Sequence, residues 1–282
     1  MKMELQTKLN NLKENIRRMD SIAVAYSGGV DSTFLLKVVH DVLKEKVLAI
    51  TAKSSIFPER ELREAHSFAE TLGTKHIVIE LDELAIEGFA DNPVNRCYLC
   101  KREVFSRIIE VAKQNKIKYI ADGSNIDDLG DYRPGRRALE ELGVVSPLQE
   151  AAMTKNDIRI LSKQMDLPTG DKPSFACLAS RFPYGEKITK EKLGVIDRLE
   201  QYLMDGGFRQ VRVRHHGNIA RIEVAMDERS KFFDTGLMDR IYEKFRENGF
   251  AYVTLDLKGY RTGSMNEVIK PEKEKGLSNA KR

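Results

Sequence analysis

The chain has 282 residues, 41% hydrophobic and 32% charged, and its 47 basic and 43 acidic residues leave a net charge of +4. That length suits one large and one small domain, and so mild a charge argues against a nucleic-acid binder, which gathers basic residues on one face. No run of eighteen apolar residues occurs and the first twenty residues are charged throughout, so no membrane-spanning helix or secretion signal is expected and the protein is expected in the cytoplasm.

In chain order, residues 4–18 read as a helix and 21–26 as a short buried strand. Residues 32–44 put Phe34, Leu35, Val38, Val39 and Val42 on one helical face. KVLAIT (46–51) is a second strand. FPERELREAHSFAETLG is a helix entered through a proline and stopped at Gly73, and KHIVIEL (75–81) is a third strand. Residues 101–115 form a helix, 117–123 a fourth strand, 140–148 hold a short fifth strand and 154–165 a further helix. This alternation predicts an α/β fold whose parallel sheet is covered on both faces and binds ligands at the carboxyl ends of its strands.

The stretch 168–187, rich in Pro, Gly and Ser, breaks the rhythm and reads as a connecting loop or an active-site lid. Beyond it come a helix over 189–205, two strands around the turn HGN, a helix over 228–248 starting after Asp227, and a strand over 252–257. We expect domains over 1–187 and 188–270, the second a small α+β unit, and a disordered tail over 271–282.

The segment SIAVAYSGGVDSTFLLKVV (21–39) runs an apolar strand into two glycines, hydroxyl groups and an amphipathic helix. Backbone N–H groups at such a helix start favour an anion. Gly28 and Gly29 let the backbone approach it, and Ser27, Ser32 and Thr33 add hydroxyl donors. The spacing fits neither the P-loop nor the dinucleotide fingerprint. Asp31 would repel phosphate unless a divalent cation lay between them, so the corner predicts Mg²⁺ and a triphosphate. At the same sheet edge, Asp122, Gly123, Ser124, Asn125 and Asp128 form a crowded polar turn suited to a second Mg²⁺ or a ribose. Arg133 and Arg137 could meet phosphate or neutralise those acids.

Three cysteines, an odd number in a reducing compartment, argue against a disulfide framework. Cys97-Tyr-Leu-Cys100 precedes a helix and has the spacing of a redox pair, a zinc site or an iron–sulfur site. With Cys177, three thiolates lacking a fourth ligand can hold a 4Fe–4S cluster with one iron open. Inert core cysteines are the plain alternative. Further on, alternation places Val211 and Val213 on one face of a strand and Arg212 and Arg214 on the other, giving an apolar and a basic face.

SGGVDST resembles the PP-loop of the ATP pyrophosphatases, which cleave ATP between its α and β phosphates and form adenylated intermediates. ADGSNIDDLGDYRPG (121–135) and CLASRFPYGEKI (177–188) narrow the resemblance to the LarE sulfur transferases of nickel-pincer nucleotide biosynthesis, over roughly residues 20–265. The resemblance implies ATP and Mg²⁺ held by Ala25, Ser27, Gly28, Gly29, Asp31, Ser32 and Thr33. Thr51, Lys53 and Ser54 would lie against the adenosine, with Gly123, Asp128 and Arg133 nearby. It implies catalytic roles for Cys177, Asp31, Ser180 and Arg181, and a substrate phosphate on Arg212 and Arg214. Glu200 and Glu223 resemble family acids that hold a divalent ion near subunit contacts.

The family's members differ in their cysteines. Some carry a single one, matching Cys177, which gives up its own sulfur. The extra Cys97 and Cys100 resemble the members whose 4Fe–4S cluster carries an additional sulfide. The implied substrate is a pyridinium dicarboxylic acid mononucleotide, with a sulfide donor and a homo-oligomer, a hexamer in relatives. Rival readings are a tRNA-thiolating enzyme of the same superfamily, an ammonia-dependent ligase and a non-catalytic nucleotide sensor.

Overall fold

The computed structural model describes residues 2–130, 134–173, 176–261 and 263–264. Arg133 and the tail over 271–282 lie outside the described residues. Contacts divide the chain into two units, Met1–Arg198 and Leu199–Arg282.

In the first unit, helix α1 (Lys2–Arg17) leads to strand β1 (Ile22–Ala25). There follow α2 (Val30–Leu43), β2 (Val47–Lys53), α3 (Glu59–Leu72), β3 (Lys75–Glu80), α4 (Arg96–Gln114) and β4 (Tyr119–Ala121). The strands form a parallel sheet in the order β3-β2-β1-β4, with Ile22 of β1 opposite Val47 on one side and Tyr119 on the other. Ile22 and Val24 pack into a layer with Leu12, Ile16, Phe34 and Leu35. Ala23 faces the opposite layer, with Phe105, Ile108 and Leu139. Both faces are covered, which is why β1 carries no polar alternation. Gly73 stops α3 in the left-handed region, φ 71°, as a C-terminal glycine should.

The expected fifth strand is reduced to a single bridge, Ala121 to Val145. Leu142 caps the end of α5 (Gly135–Glu141), which leaves only Val144 and Val145 as an apolar run before Pro147 opens the short helix α6 (Pro147–Glu150). A two-residue run closed by a proline at a helix start cannot extend a ladder. Helix α7 (Lys155–Gln164) then starts from a reciprocal cap between Thr154 and Asp157.

Helix α8 (Lys190–Asp205) contains the point at which the contact division falls, ten residues or so beyond the expected boundary. The second unit holds β5 (Val211–His216), β6 (Ile219–Val224), α9 (Thr235–Glu247) and β7 (Tyr252–Leu255). Its sheet runs β5-β6-β7, the first pair antiparallel and the second parallel. The helix expected over 228–248 begins only at Thr235. The side chain of Asp234, not Asp227, accepts from the Leu237 N–H, and Met226–Phe233 coils as a 3₁₀ segment. Among the described residues no helix is long and apolar enough to cross a membrane.

Candidate active site

The strand order reverses between β1 and β4, and the crevice outside the carboxyl ends at such a reversal is where open parallel sheets bind ligands. The glycine corner fills it. Gly28 sits at φ +72°, and a Cβ there would stand 3.0 Å from the Ala65 Cβ and 3.3 Å from the Glu61 carbonyl of α3. Only glycine satisfies both the conformation and the space. Ser27 and Ser32 face each other, Oγ to Oγ 3.1 Å, and the Ser32 hydroxyl lies 3.2 Å from the Gly29 carbonyl. The first-turn N–H groups of α2 have no partner within the helix, the arrangement that favours an anion at a helix start. On the β4 side, Gly123 packs so tightly that a Cβ would meet the Ser32 backbone nitrogen at 3.1 Å.

Asp31 opens the first turn of α2, and burial holds its carboxyl above the usual range, opposed by Lys155. The Lys155 ammonium donates to Asp31 Oδ2, while the buried Oδ1 has no hydrogen-bond partner among the described residues. That orphaned oxygen fits a cation such as Mg²⁺. Lys155 is itself fixed by its backbone N–H, which donates to Asp127 at 2.8 Å. Asp122 is buried and accepts from Ser146 at 2.6 Å and Ser124 at 2.5 Å; the Lys101 ammonium lies 3.7 Å away. Asp128 accepts from the Asn125 backbone at 3.0 Å, closing the turn.

Next to the corner, the Thr51 hydroxyl donates to the Tyr26 carbonyl at 2.6 Å, so it accepts from His76 Nε2 at 2.7 Å. Its side chain is committed, and only backbone is left there to read a base. Burial, with His66 as a neighbour, lowers the His76 pKa to about 4, and burial raises that of Tyr26 to about 12. Lys53 is half exposed and paired with Glu80 at 3.0 Å, and Ser54 donates to the buried Glu83. Ala25 ends β1 opposite Ile50.

Cys97 and Cys100 do not precede a helix; they lie in the opening turns of α4 itself. Arg96 and Asn92 bring Cys177 to them. The Arg96 guanidinium donates to the Ala179 carbonyl at 3.1 Å and to Asn92, whose amide donates to the carbonyls of Phe182 and Pro183. Arg181 is fully buried and donates to the carbonyls of Ala176 and Cys177 at 2.8 and 3.2 Å and to Ser180 Oγ at 2.9 Å. Leu178 donates to the Ile56 carbonyl at 2.8 Å, and Ser180 N–H to the Cys177 carbonyl at 2.9 Å.

The three cysteines are near enough for their neighbours to act on Cys100 and Cys177. Burial pushes both Cys100 and Cys177 up, the neighbouring cysteines add to it and Arg96 opposes it. As free thiols, Cys100 and Cys177 therefore keep their protons at neutral pH. Among the described residues no three His, Cys, Asp or Glu side chains converge on a single-ion site.

In the second unit the expected basic face is buried instead. Arg212 and Arg214 are 2% and 4% exposed, because β5 is covered on both faces. Arg212 donates to the Val211 carbonyl at 2.7 Å and stacks over Tyr260 at 5.0 Å. Arg214 donates to Glu223 at 2.7 Å and to Ser264 at 2.9 Å, and Arg221 also reaches Glu223 at 3.2 Å. Glu200 is fully buried and accepts from the Val213 N–H at 2.9 Å.

Comparison with known proteins places this arrangement. A family described as of unknown function (DUF7411) matches residues 19–131. The chain is 44% identical to an uncharacterized protein of Synechocystis sp., over 94% of this chain and 99% of the relative. It is 37% identical to pyridinium-3,5-bisthiocarboxylic acid mononucleotide synthase of Lactiplantibacillus plantarum, over 94% of this chain and 96% of that enzyme. The chain belongs to the LarE family. More remotely, it is 24% identical to a glutamine-hydrolyzing GMP synthase component of Saccharolobus solfataricus, over 78% of its own length and 64% of that protein's. The fold is thus that of the PP-loop ATP pyrophosphatases with a small C-terminal α+β unit, and this LarE-family chain is an enzyme.

Several residues of this LarE-family site carry no local sequence signal. Arg96, Asn92, Glu83, Lys155 and Lys172 each act across long chain separations. Asn92 offers one hint: it holds φ 54°, a conformation that asparagine tolerates better than most residues.

Proposed function

We propose that this chain is an ATP-dependent sulfur transferase acting on the two carboxylates of a pyridinium-3,5-dicarboxylic acid mononucleotide. ATP adenylates a carboxylate and pyrophosphate leaves. Sulfide then attacks the acyl carbon, AMP leaves with the bonding pair, and a thiocarboxylate results. A second round gives the bis-thiocarboxylate. A carboxylate is a poor electrophile until adenylation supplies the leaving group.

One observation carries this reading. Lys101, next in the chain to Cys100, lies 3.7 Å from Asp122 at the phosphate corner. The helix that bears the paired cysteines therefore touches the ATP crevice, and Gly135 packs the start of α5 against the Cys97 carbonyl. The corner would hold the phosphates on the backbone of Gly28 and Gly29 and the hydroxyls of Ser27 and Ser32. Asp31, through its orphaned oxygen, would hold Mg²⁺, and Lys155 would balance its charge. Ser180 and Arg181 hold the carbonyl of Cys177 and so orient that residue.

The donor set fits an iron–sulfur cluster. Cys97, Cys100 and Cys177 come from two segments, the neighbouring cysteines are near enough to act on Cys100 and Cys177, and a cluster is broader than a single ion. Cys97, Cys100 and Cys177 would hold a 4Fe–4S cluster, which when bound would supply a sulfide carrier and take the cysteines as thiolates. In the second unit, Arg212 and Arg214 would meet the substrate phosphate only as part of their buried network, and Glu200 and Glu223 would take a divalent ion only by giving up bonds they now make. The domain reading of an adenylation unit followed by a substrate-binding or oligomer-forming unit belongs to the same proposal.

The test is anaerobic purification with iron and sulfide analysis, then turnover with ATP, substrate and sulfide. We expect about four irons per chain, lost on Cys97→Ala, and pyrophosphate release that requires the mononucleotide. An iron-free protein that loses one H₂S in mass at Cys177 after a single turnover would replace the cluster with sacrifice of Cys177. Pyrophosphate release driven by tRNA, weakening steeply with salt, would replace the substrate.

A further inference from the structure

Lys172 lies in the stretch that leads to Cys177, yet its side chain does not face solvent. It is 11% exposed and points into the first unit between two acids of α3, Glu61 at 2.8 Å and Glu64 at 2.6 Å. Glu61 is as buried as the lysine. The same ammonium reaches the carbonyl oxygen of Gly28, in the phosphate corner, at 3.3 Å. Its backbone is held as firmly: Arg159 of α7 donates to the carbonyls of Gly170 and Lys172 at 2.9 and 2.8 Å, and Lys172 N–H donates to Thr169 at 3.0 Å.

A peptide unit is planar and trans, so its C=O and N–H point in opposite directions. Fixing the Gly28 oxygen on one side therefore fixes the Gly29 N–H on the other. Glycine flanked by glycine is the part of the chain freest to flip that plane. Among the described residues Lys172 is the donor that holds the Gly28 oxygen, and the Gly29 N–H makes only a long contact, 3.5 Å, with Ser27 Oγ. A donor at Gly28 thus sets which way the Gly29 N–H faces.

We infer that Lys172 is a positioning residue for nucleotide binding: it locks the Gly28–Gly29 peptide so that the Gly29 N–H faces the polyphosphate, and it ties the segment leading to Cys177 to that loop. This rests on the reading of the corner as an ATP site. Glu61, buried with the ammonium, holds it in place and keeps a cation of this length from collapsing onto the phosphates themselves, whereas Glu64 is 58% exposed and adds little.

The test uses the full-length chain and four variants. Lys172→Met leaves Glu61 buried without its cation and could unfold, so Glu61→Gln/Lys172→Met serves beside it, removing both charges. Glu64→Gln keeps the lysine and its Gly28 contact, and Lys172→Arg keeps the charge. ATP affinity in Mg²⁺ is measured by calorimetry, and hydrogen exchange is followed in the peptide spanning residues 27–30. We expect the double variant to bind ATP at least about tenfold more weakly, equivalent to about 1.4 kcal/mol, and to exchange faster at Gly29 while the rest of the sheet exchanges as before. Glu64→Gln should bind within about twofold of the parent, a difference under 0.5 kcal/mol by the same conversion. Lys172→Arg should retain part of the affinity that the double variant loses. A double variant that binds ATP like the parent with unchanged exchange at 27–30 overturns the role of Lys172. Absence of ATP binding in the parent chain overturns the reading of the corner instead.

Discussion

The phosphate corner and the cysteine meeting point lie in the same unit and are built in opposite ways. The corner is one contiguous run, Ser27 to Thr33, whose working parts are backbone groups shaped by glycine. The meeting point joins the start of α4 to a distant loop, and its working parts are side chains brought together by Arg96, Asn92 and Arg181. Backbone donors need only the right conformation and space. Convergent thiols need every brace between two segments, so they are more easily lost and harder to see in advance.

The largest effect that would sharpen the contrast is Cys177→Ala. We expect product formation to fall below detection, with ATP affinity within about twofold of the parent by calorimetry, under 0.5 kcal/mol. Loss of ATP binding in that variant would join the two sites into one. The reverse substitution, Gly28→Ala, puts a side chain at φ +72° against Ala65, a cost of roughly 1–2 kcal/mol in conformation alone. It should weaken ATP binding more than tenfold while leaving the iron content of the anaerobic protein unchanged.

The second unit supplies the next comparison. Arg214→Ala leaves Glu223 in a buried network short of one cation, and truncating one partner of such a pair costs about 3–5 kcal/mol. Urea denaturation would read it directly; a change under about 1 kcal/mol would point to a ligand role for Arg214 in place of a structural one. A smaller effect comes from His76. Its folded pKa, about 4, lies below the unfolded value of 6.5, so the folded state resists protonation. The stability this residue allows is complete above pH 6.5 and drains away as pH falls toward 4. His76→Gln should flatten that part of the stability–pH curve by on the order of 1–2 kcal/mol, discounted for partial exposure. Smallest of all, Lys53→Ala removes an exposed ion pair with Glu80 and should leave the urea midpoint indistinguishable from the parent's. A large loss of ATP affinity there would show that Lys53 leaves Glu80 for the nucleotide.

Legibility in the sequence follows the same division. SGGVDST and the alternation of apolar strands with helices are local, and they point to the sheet, the corner and the family. Over 140–148 two valines suggest a strand, but the proline that follows ends it. Asp227 and Asp234 are both plausible caps for α9, and only Asp234 serves. Arg212 and Arg214 read as a surface because strand alternation says which residues share a face and not whether that face is covered. Lys155, Arg96 and Lys172 are invisible for a plainer reason: a lone lysine or arginine has no pattern until the fold shows what it reaches.

The split origin of the cysteines also sets a timetable. Cys97 and Cys100 sit one helical turn apart and come together as soon as α4 winds, whereas Cys177 joins them only when a stretch made later in synthesis has docked on Ile56 and Arg96. A nascent chain halted before that point would carry a pair and never a trio. Stalled ribosomal chains of increasing length, probed with a thiol cross-linker, would show the third partner arriving last.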